Sequence, residues 1–448
     1  WNNVIEKSPK AKIIVGTRSA LFLPFQNLGL LIVDEEHELS YKQLDPSPRY
    51  HARDSAIILA RIHKAKVLLG SATPSLESSF NQRSGKYGWV QLQERYGNVE
   101  LPEIITIDLK SAHKKKQMNG GFTKIMIKEM EQTLNMDKQI ILFQNQRGYS
   151  PIIECLDCGH MPQCHQCDVT LTYHQHTDQL KCHYCGYHIS VPQKCHACGM
   201  TNLSSKGIGT QQIQEQVTAL FPEVKVARMD WDTTRGKWAF DKLINSFATQ
   251  EVKILVGTQM IIKGLDFQNV HLVGVLNADH LMNFPDFRAH ERTYQMLSQV
   301  AGRAGRKVMR GKVLIQTYQP HHPIIQHVIN GNYDQMLTQE LKERKQYYYP
   351  PYNRLIRIVV NHSDMETLKK ASHWIVNVLL QSEYGQILGP VFPPVARIRN
   401  RYRMHILVKI SANKSRDRVK KIIKKTLDHF ESVPIFRSCK VNVDIDPY

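Results

Sequence analysis

The sequence predicts an α/β protein of two parallel-sheet lobes, a cysteine-rich insertion in the second lobe and a mixed α+β domain at the C-terminus. Three observations carry that prediction. Short apolar runs recur at Leu30 to Val33, Val67 to Leu69, Ile140 to Phe143, Lys253 to Val256, Val270 to Leu276 and Val313 to Ile315, with stretches long enough for helices between them. Such runs are buried on both faces, as in parallel sheets whose crossover helices cover each side. Eight of the nine cysteines form four Cys-x-x-Cys pairs between Cys155 and Cys198. An aromatic and proline-rich string, Tyr347-Tyr348-Tyr349-Pro350-Pro351-Tyr352, marks a stiff boundary before the C-terminal segment.

Taken in order, the first lobe is expected over residues 1–109, with an early strand at Ile13-Ile14-Val15 that reads as mid-domain. An exposed linker over 110–122 follows, marked by Lys114, Lys115, Lys116, Gly120 and Gly121. The second lobe is assigned to 123–150 and 206–344, the insertion to 151–205 and the C-terminal domain to 345–448. A chain of 448 residues has room for this at about 150 residues per domain.

Lysine and arginine outnumber aspartate and glutamate by 59 to 40, a net charge of +19. Such an excess favours a polyanion, whose condensed counterions are released on binding, and makes nucleic acid the first candidate partner. No run of about 18 apolar residues is present to span a bilayer, and the N-terminus lacks a signal-peptide layout, so a cytoplasmic protein with no membrane role is expected. In a reducing compartment, paired cysteines read as metal ligands rather than disulfides.

Leu30 to Val33 delivers Asp34-Glu35-Glu36-His37 at its carboxyl end, where open α/β sheets place ligands. This is a Walker B arrangement: Asp34 is suited to hold Mg²⁺ on ATP phosphates, and Glu35 to orient and deprotonate the attacking water. Gly70-Ser71-Ala72-Thr73-Pro74-Ser75 follows the next strand and resembles the Ser-Ala-Thr motif of superfamily-2 helicases. Gln299-Val300-Ala301-Gly302-Arg303-Ala304-Gly305-Arg306 resembles their last motif. Its two guanidiniums, on Arg303 and Arg306 and read as one helical turn apart, could stabilise charge at the γ-phosphate. The resemblance implies RecA-like lobes and a nucleotide site that also draws on Glu36, His37, Thr73, Gly264, Asp266 and Gln299. No Gly-x-x-x-x-Gly-Lys-Ser/Thr loop occurs in the sequence. The phosphate cradle is therefore expected upstream of Trp1, and this stretch alone is expected to hydrolyse ATP poorly or not at all.

Longer strings resemble the PriA (primosomal protein N prime) family of bacterial replication-restart helicases. They include Ile14-Val15-Gly16-Thr17-Arg18-Ser19-Ala20, Ser40-Tyr41-Lys42-Gln43 with Arg49-Tyr50-His51-Ala52-Arg53-Asp54, and Gly257 through Phe267. Asn277-Ala278-Asp279, Pro285 through Thr293, Leu388-Gly389-Pro390 and Arg401-Tyr402-Arg403 extend the likeness over nearly the whole chain. It departs from the family where Gln211 and Gln212 follow Gly209-Thr210, at Leu265, and in the insertion Asp45-Pro46-Ser47-Pro48. The resemblance implies a 3′-to-5′ ATP-driven DNA helicase that acts at stalled forks and on single-stranded DNA. It also implies partners among single-stranded-DNA-binding protein, primosome proteins and the replicative helicase. Thr17, Arg18, Lys42, Arg53, Thr210 and Thr258 would then touch DNA.

The cysteine spacing is Cys155-x2-Cys158-x5-Cys164-x2-Cys167-x14-Cys182-x2-Cys185-x9-Cys195-x2-Cys198. Each pair can supply two thiolates, so four pairs make two closed, structural Zn²⁺ sites. Five residues are few to reverse the chain between the first two pairs, whereas fourteen between the second and third is close to zinc-ribbon spacing. This favours a nested arrangement, with Cys155, Cys158, Cys195 and Cys198 in one site and Cys164, Cys167, Cys182 and Cys185 in the other. The family resemblance implies the same pairing.

In the C-terminal domain Arg397, Arg399, Arg401 and Arg403 alternate with other residues, and period-two geometry would align them on one strand face toward a phosphate backbone. Lys414 through Lys425 continues the basic run, with Asp417 the sole acid between Arg397 and Lys425. DNA or the acidic tail of single-stranded-DNA-binding protein would suit it. The rival to a motor is a catalytically inactive zinc-containing DNA-binding scaffold. An RNA helicase is disfavoured by the zinc insertion and the PriA-like strings.

Overall fold

The computed structural model describes the chain except at residues 7, 9–10, 93–99, 145–151, 156, 159, 175–177, 183, 207–208, 231–232, 235, 237, 262–266, 306–309, 382–384, 412–413 and 448. Residues 1–89, 341–394 and 401–448 form one compact unit, and residues 90–340 with 395–400 form another.

In the first unit, β1 (Leu30–Val33) and β2 (Lys66–Leu69) pair in parallel, Val33 opposite Leu69. Helix α1 (Ala52–His63) is the crossover between them and buries Ala52, Ala56 and Ala60 at helical spacing. Helix α2 (Leu76–Arg83) starts at Ser75, whose side chain caps it by accepting from the Ser78 amide. The expected strand at Ile13-Ile14-Val15 does not form, and Ile13 and Val15 are 86% and 94% exposed. A strand is held by its ladder partner, and no described strand lies beside this run.

The second unit is built on six parallel strands: β3 (Glu103–Asp108), β4 (Gln139–Phe143), β5 (Val226–Met229), β6 (Ile254–Gly257), β7 (Val270–Val275) and β8 (Lys312–Thr317). Their order is β5-β6-β4-β7-β8-β3. Every residue of β4, β6 and β7 is buried, as continuous apolar runs require in a sheet covered on both faces. Helices α3 (Lys124–Asn135) and α4 (Thr210–Leu220) set Met126, Met130, Ile213 and Val217 into one core with Ile140, Leu142, Ile254 and Val256. Helices α5 (Ala239–Ala248) and α6 (Ala289–Ala301) complete the main elements of this lobe. Gly274 lets α3 approach closely, because a Cβ there would stand 2.9 Å from Leu142 Cδ2 and 3.0 Å from Met126 Sδ.

The expected boundary at 109 and linker at 110–122 are corrected. Strand β3 is the edge of the second-lobe sheet, in register with β8 from Glu103 opposite Lys312 to Asp108 opposite Thr317. Residues 109–114 form a helix, and Met118–Asn119 and Phe122–Thr123 a short hairpin in which Phe122 is fully buried. Three lysines are compatible with a short surface helix as well as with a linker, and a half-polar edge strand lacks the continuous apolar run of a central one.

Within the insertion, Ile152–Cys155 pairs antiparallel with Leu203–Lys206, and Thr172–His174, Gln179–Lys181 and His188–Ser190 form a three-stranded sheet. Its core is small: Ile153, Leu171 and Leu180 pack among Cys164, Cys167 and Cys182.

The C-terminal domain contains β9 (Asn353–His362), α7 (Met365–Leu380), β10 (Gln386–Val391), β11 (Arg401–Ser411), α8 (Arg416–Ser432) and β12 (Lys440–Ile445). The strands run antiparallel in the order β10-β11-β9-β12. Alternate residues of β9 and β11 (Ile356, Ile358 and Val360; Met404, Ile406 and Val408) face a core shared with α7 and α8, the period-two burial of a sheet covered on one side.

Candidate nucleotide site and zinc centres

At the end of β1 the chain turns sharply. Glu35 takes the left-handed φ of 47°, its amide donating to Asp34 Oδ1 at 2.9 Å, and the Glu36 amide donates to the carbonyl of Gly70 at 3.0 Å. The turn separates the three acids. Asp34 is exposed and Glu35 has a side chain 45% exposed, whereas Glu36 is buried. His37 is buried, with Nδ1 at 2.7 Å from Ser71 Oγ and 3.6 Å from Glu35 Oε2, and Ser71 Oγ accepts the Thr73 amide at 3.0 Å. The acidic strand end and the Ser-Ala-Thr loop are thus joined through His37 as well as through Glu36. Tyr41 donates to the Asp34 carbonyl at 2.6 Å; burial, and then the Asp34 carboxylate, push its phenol pKa up.

Glu36 cannot serve as a nucleotide ligand in this arrangement. Its carboxylate accepts from the Ser75 amide at 2.6 Å, Ser75 Oγ at 3.0 Å, Ser78 Oγ at 2.9 Å and Arg53 at 2.9 Å. Arg53, expected at DNA, is itself buried and bound to Glu36, Asp54 and Ser75. Lys42 is likewise buried: its ammonium lies 2.9 Å from Asp444 Oδ1 and donates to the carbonyls of Ile445 at 2.6 Å and Arg49 at 3.2 Å. Both expected DNA contacts are corrected to internal ion pairs, since a charge held by buried partners is withheld from solvent and from phosphate. Arg18 donates to the Lys42 carbonyl at 2.9 Å, and Thr17 Oγ1 sits 3.3 Å from Ser19 Oγ on the surface.

In the second unit Thr210 opens α4, its hydroxyl donating to Asp230 Oδ2 at 2.7 Å beside Arg228. Asp230 was not legible as a partner in the sequence. Thr258 follows β6 at Gly257, where a Cβ would stand 2.4 Å from the Met229 carbonyl. Gln299 lies on α6, but the helix ends at Ala301, so Arg303 stands in the turn beyond it rather than on a continuing helix. Gly302, at a right-handed φ of −61°, follows the helix end, and Gly305 has a left-handed φ of 66°. Gly264, Asp266 and Arg306 lie outside the described residues.

The cysteines gather into two groups, Cys155 with Cys158, Cys195 and Cys198, and Cys164 with Cys167, Cys182 and Cys185, all sulfurs of a group within 4.8 Å of one another. Four thiolates at about 2.3 Å from a tetrahedral Zn²⁺ stand about 3.8 Å apart. The Cys155–Cys198 and Cys158–Cys195 distances of 3.6 Å and the Cys164–Cys185 distance of 3.5 Å fit that ion. All four knuckles share one hydrogen bond. The amide of Cys155, Cys164, Cys182 or Cys195 donates to the carbonyl five residues on, in His160, Val169, Tyr187 or Met200, at 2.7 to 2.9 Å. Gly186 and Gly199, at φ of 81° and 76°, follow the third and fourth pairs, and Asp168 takes that position in the second.

The four arginines do not share one strand face. Arg399 and Asn400 have φ of 51° and 58° and form a tight turn between Arg397–Ile398 and Arg401–Ser411. Arg397 and Arg399 are turned to the insertion: Arg397 Nε donates to Asp168 Oδ1 at 2.9 Å, and Arg399 Nε to the Tyr184 carbonyl at 3.3 Å. Arg401 and Arg403 are half-buried on β11.

Residues 199–308 match the helicase conserved C-terminal domain, and residues 164–189 the Cys-rich region of PriA DNA helicase. The class these elements define is a helicase fold interrupted by a double four-cysteine module. Residues 345–448 match the primosomal protein N C-terminal domain. The chain is 40% identical to the replication restart protein PriA of Bacillus subtilis, over 100% of this chain and 55% of that protein. It is 37% identical to that of Haemophilus influenzae over 98% and 59%, and 38% identical to that of Rickettsia felis over 100% and 69%. This chain belongs to the PriA family. It spans between about half and two thirds of the length of these relatives. Among the described residues, no helix is long and apolar enough to cross a membrane.

Proposed function

We propose that the chain is the zinc-bearing part of an ATP-dependent 3′-to-5′ DNA helicase of replication restart, which binds stalled or abandoned forks and initiates primosome assembly to reload the replicative helicase. The observation that carries this reading is one chain holding both the Asp34, Glu35, His37 and Ser71 arrangement and two four-cysteine clusters, in a family whose relatives are replication restart proteins.

Asp34, exposed at the strand end, would hold Mg²⁺ on the ATP phosphates, and Glu35 would take the proton of the attacking water. His37, bridging Glu35 to Ser71, positions the acid and ties it to the Thr73 loop. Gln299 and Arg303 are further candidates for roles in ATP binding and hydrolysis, with Gly264, Asp266 and Arg306. Thr17, Arg18, Thr210 and Thr258 would follow the DNA backbone, joined by Arg401, Arg403 and the exposed Arg418, Lys420, Lys421, Lys424 and Lys425 of α8. Zinc in each four-cysteine group would supply folding energy to a module with little apolar core. Primosome proteins and single-stranded-DNA-binding protein are the proposed partners, in the cytoplasm. Because these 448 residues contain no Gly-x-x-x-x-Gly-Lys-Ser/Thr loop, hydrolysis is expected only when such a loop is supplied.

The test is ATP hydrolysis by a polypeptide carrying this chain together with a phosphate loop, with and without single-stranded DNA, beside Glu35→Gln. DNA-stimulated turnover should fall by about a hundredfold or more in the variant, as loss of a general base requires. Equal, low turnover in both proteins with DNA still bound would replace the motor by the zinc scaffold.

A further inference from the structure

Val395 to Asn400 belongs to the same compact unit as the four-cysteine module, although the sequence places it in the C-terminal domain, between β10 and β11. The contacts are specific and converge on the second knuckle. The Asp168 amide donates to the Arg397 carbonyl at 3.0 Å, the Asn400 amide to the Gln166 carbonyl at 2.8 Å, and the Arg399 amide to Cys167 Sγ at 3.3 Å. The side chains of Arg397 and Arg399 reach Asp168 and the Tyr184 carbonyl, and Ile398 packs into the module's core beside Cys164, Cys167 and Cys182.

The second knuckle also lacks the glycine that follows the third and fourth pairs, Asp168 standing in its place. The cysteines of the two groups differ in burial too. Cys164, Cys167 and Cys182 are buried with Cys185 half-buried, whereas Cys158 and Cys198 are exposed. An amide pointed at a metal-bound thiolate withdraws charge from it, and outer contacts of this kind govern how firmly a metal is held.

We propose that Arg397 to Asn400 is an outer cap of the Cys164, Cys167, Cys182 and Cys185 zinc site, so that this turn governs zinc retention there and not at the other site. The turn's left-handed residues aim the Arg399 amide at Cys167, its arginines clamp Asp168 and Tyr184, and Ile398 closes the apolar side. The other site, with Cys158 and Cys198 exposed, is the one that loses its metal first. This inference rests on the two-zinc reading above.

The experiment is zinc release from the full 448-residue chain to a metallochromic chelator, after zinc content has been measured. Two zinc ions per chain and two release phases are expected, with Cys158→Ser abolishing the fast one. Arg397→Ala, which removes a half-exposed pair, should speed the slow phase about two- to fivefold and leave the fast phase unchanged. Arg399→Pro, which deletes the amide and cannot take a φ of 51°, should speed it about tenfold or more. A slow phase unchanged in both variants, or both phases accelerated alike, would overturn the cap while leaving two zinc sites in place. Fewer than two zinc ions per chain would overturn the two-zinc reading and the cap with it.

Discussion

Replacing Arg53 with methionine separates two roles that its position near the acidic motif could suggest. Glu36 is 1% exposed and Arg53 5%, so the substitution leaves a carboxylate in the interior with three remaining donors, the Ser75 amide and the hydroxyls of Ser75 and Ser78. Breaking a buried pair by removing one partner costs about 3–5 kcal/mol. With three hydrogen bonds retained, the lower end, about 3 kcal/mol, is expected. At a urea dependence of about 1–3 kcal/mol per molar, the unfolding midpoint of the first unit, followed by circular dichroism, should fall by about 1–3 M. Affinity for single-stranded DNA, measured against salt on folded protein, should keep its slope. Had Arg53 neutralised a phosphate, the log–log slope would lose about 0.7. A midpoint shift below about 0.3 M together with that loss of slope would refute the internal role and return Arg53 to the DNA.

Two further outcomes are expected. Burial, and then the Arg53 guanidinium, hold the His51 imidazole down at about 4, so the unfolded chain takes up a proton near pH 6.5 that the folded chain refuses. Stability should therefore rise with pH between about 4 and 6.5, by roughly 3 kcal/mol from this group, and urea midpoints across that range should lose the corresponding part of their slope in His51→Gln. Gly257→Ala forces a Cβ to 2.4 Å from the Met229 carbonyl and 2.5 Å from Ile261 Cδ1. Overpacking against backbone should cost about 1–3 kcal/mol in the second unit, and a melting temperature equal to the parent's would show that the strands part at no cost.

The central strands of the second lobe were legible because a strand covered on both faces must be largely apolar, and β4, β6 and β7 are, Gln139 and His271 excepted. Strand β3 was not, because Glu103-Ile104-Ile105-Thr106-Ile107-Asp108 mixes polar and apolar residues as an edge strand can. Spacing favoured the cysteine grouping, since five residues are few to reverse the chain between the first two knuckles, and the family resemblance implied the same pairing. What spacing cannot carry is the fate of a charge. Lys42 is neutralised by Asp444 and donates to Ile445, 403 residues away, and a local reading sees only an isolated basic residue beside aromatics. The arginine stripe failed for a related reason: period two presumes a continuous strand, and the break lies at Arg399-Asn400, where asparagine's tolerance of left-handed backbone was the one available signal.

The pairing of Ile152–Cys155 with Leu203–Lys206 brings the entrance and exit of the insertion side by side. To the surrounding lobe, some fifty intervening residues are therefore equivalent to a tight turn, and loop-closure entropy, which grows only with the logarithm of length, exacts little for the detour. The host sheet and its guest module can fold, drift in sequence and change in length as separate parts, because what the host must accommodate is a doorway two strands wide.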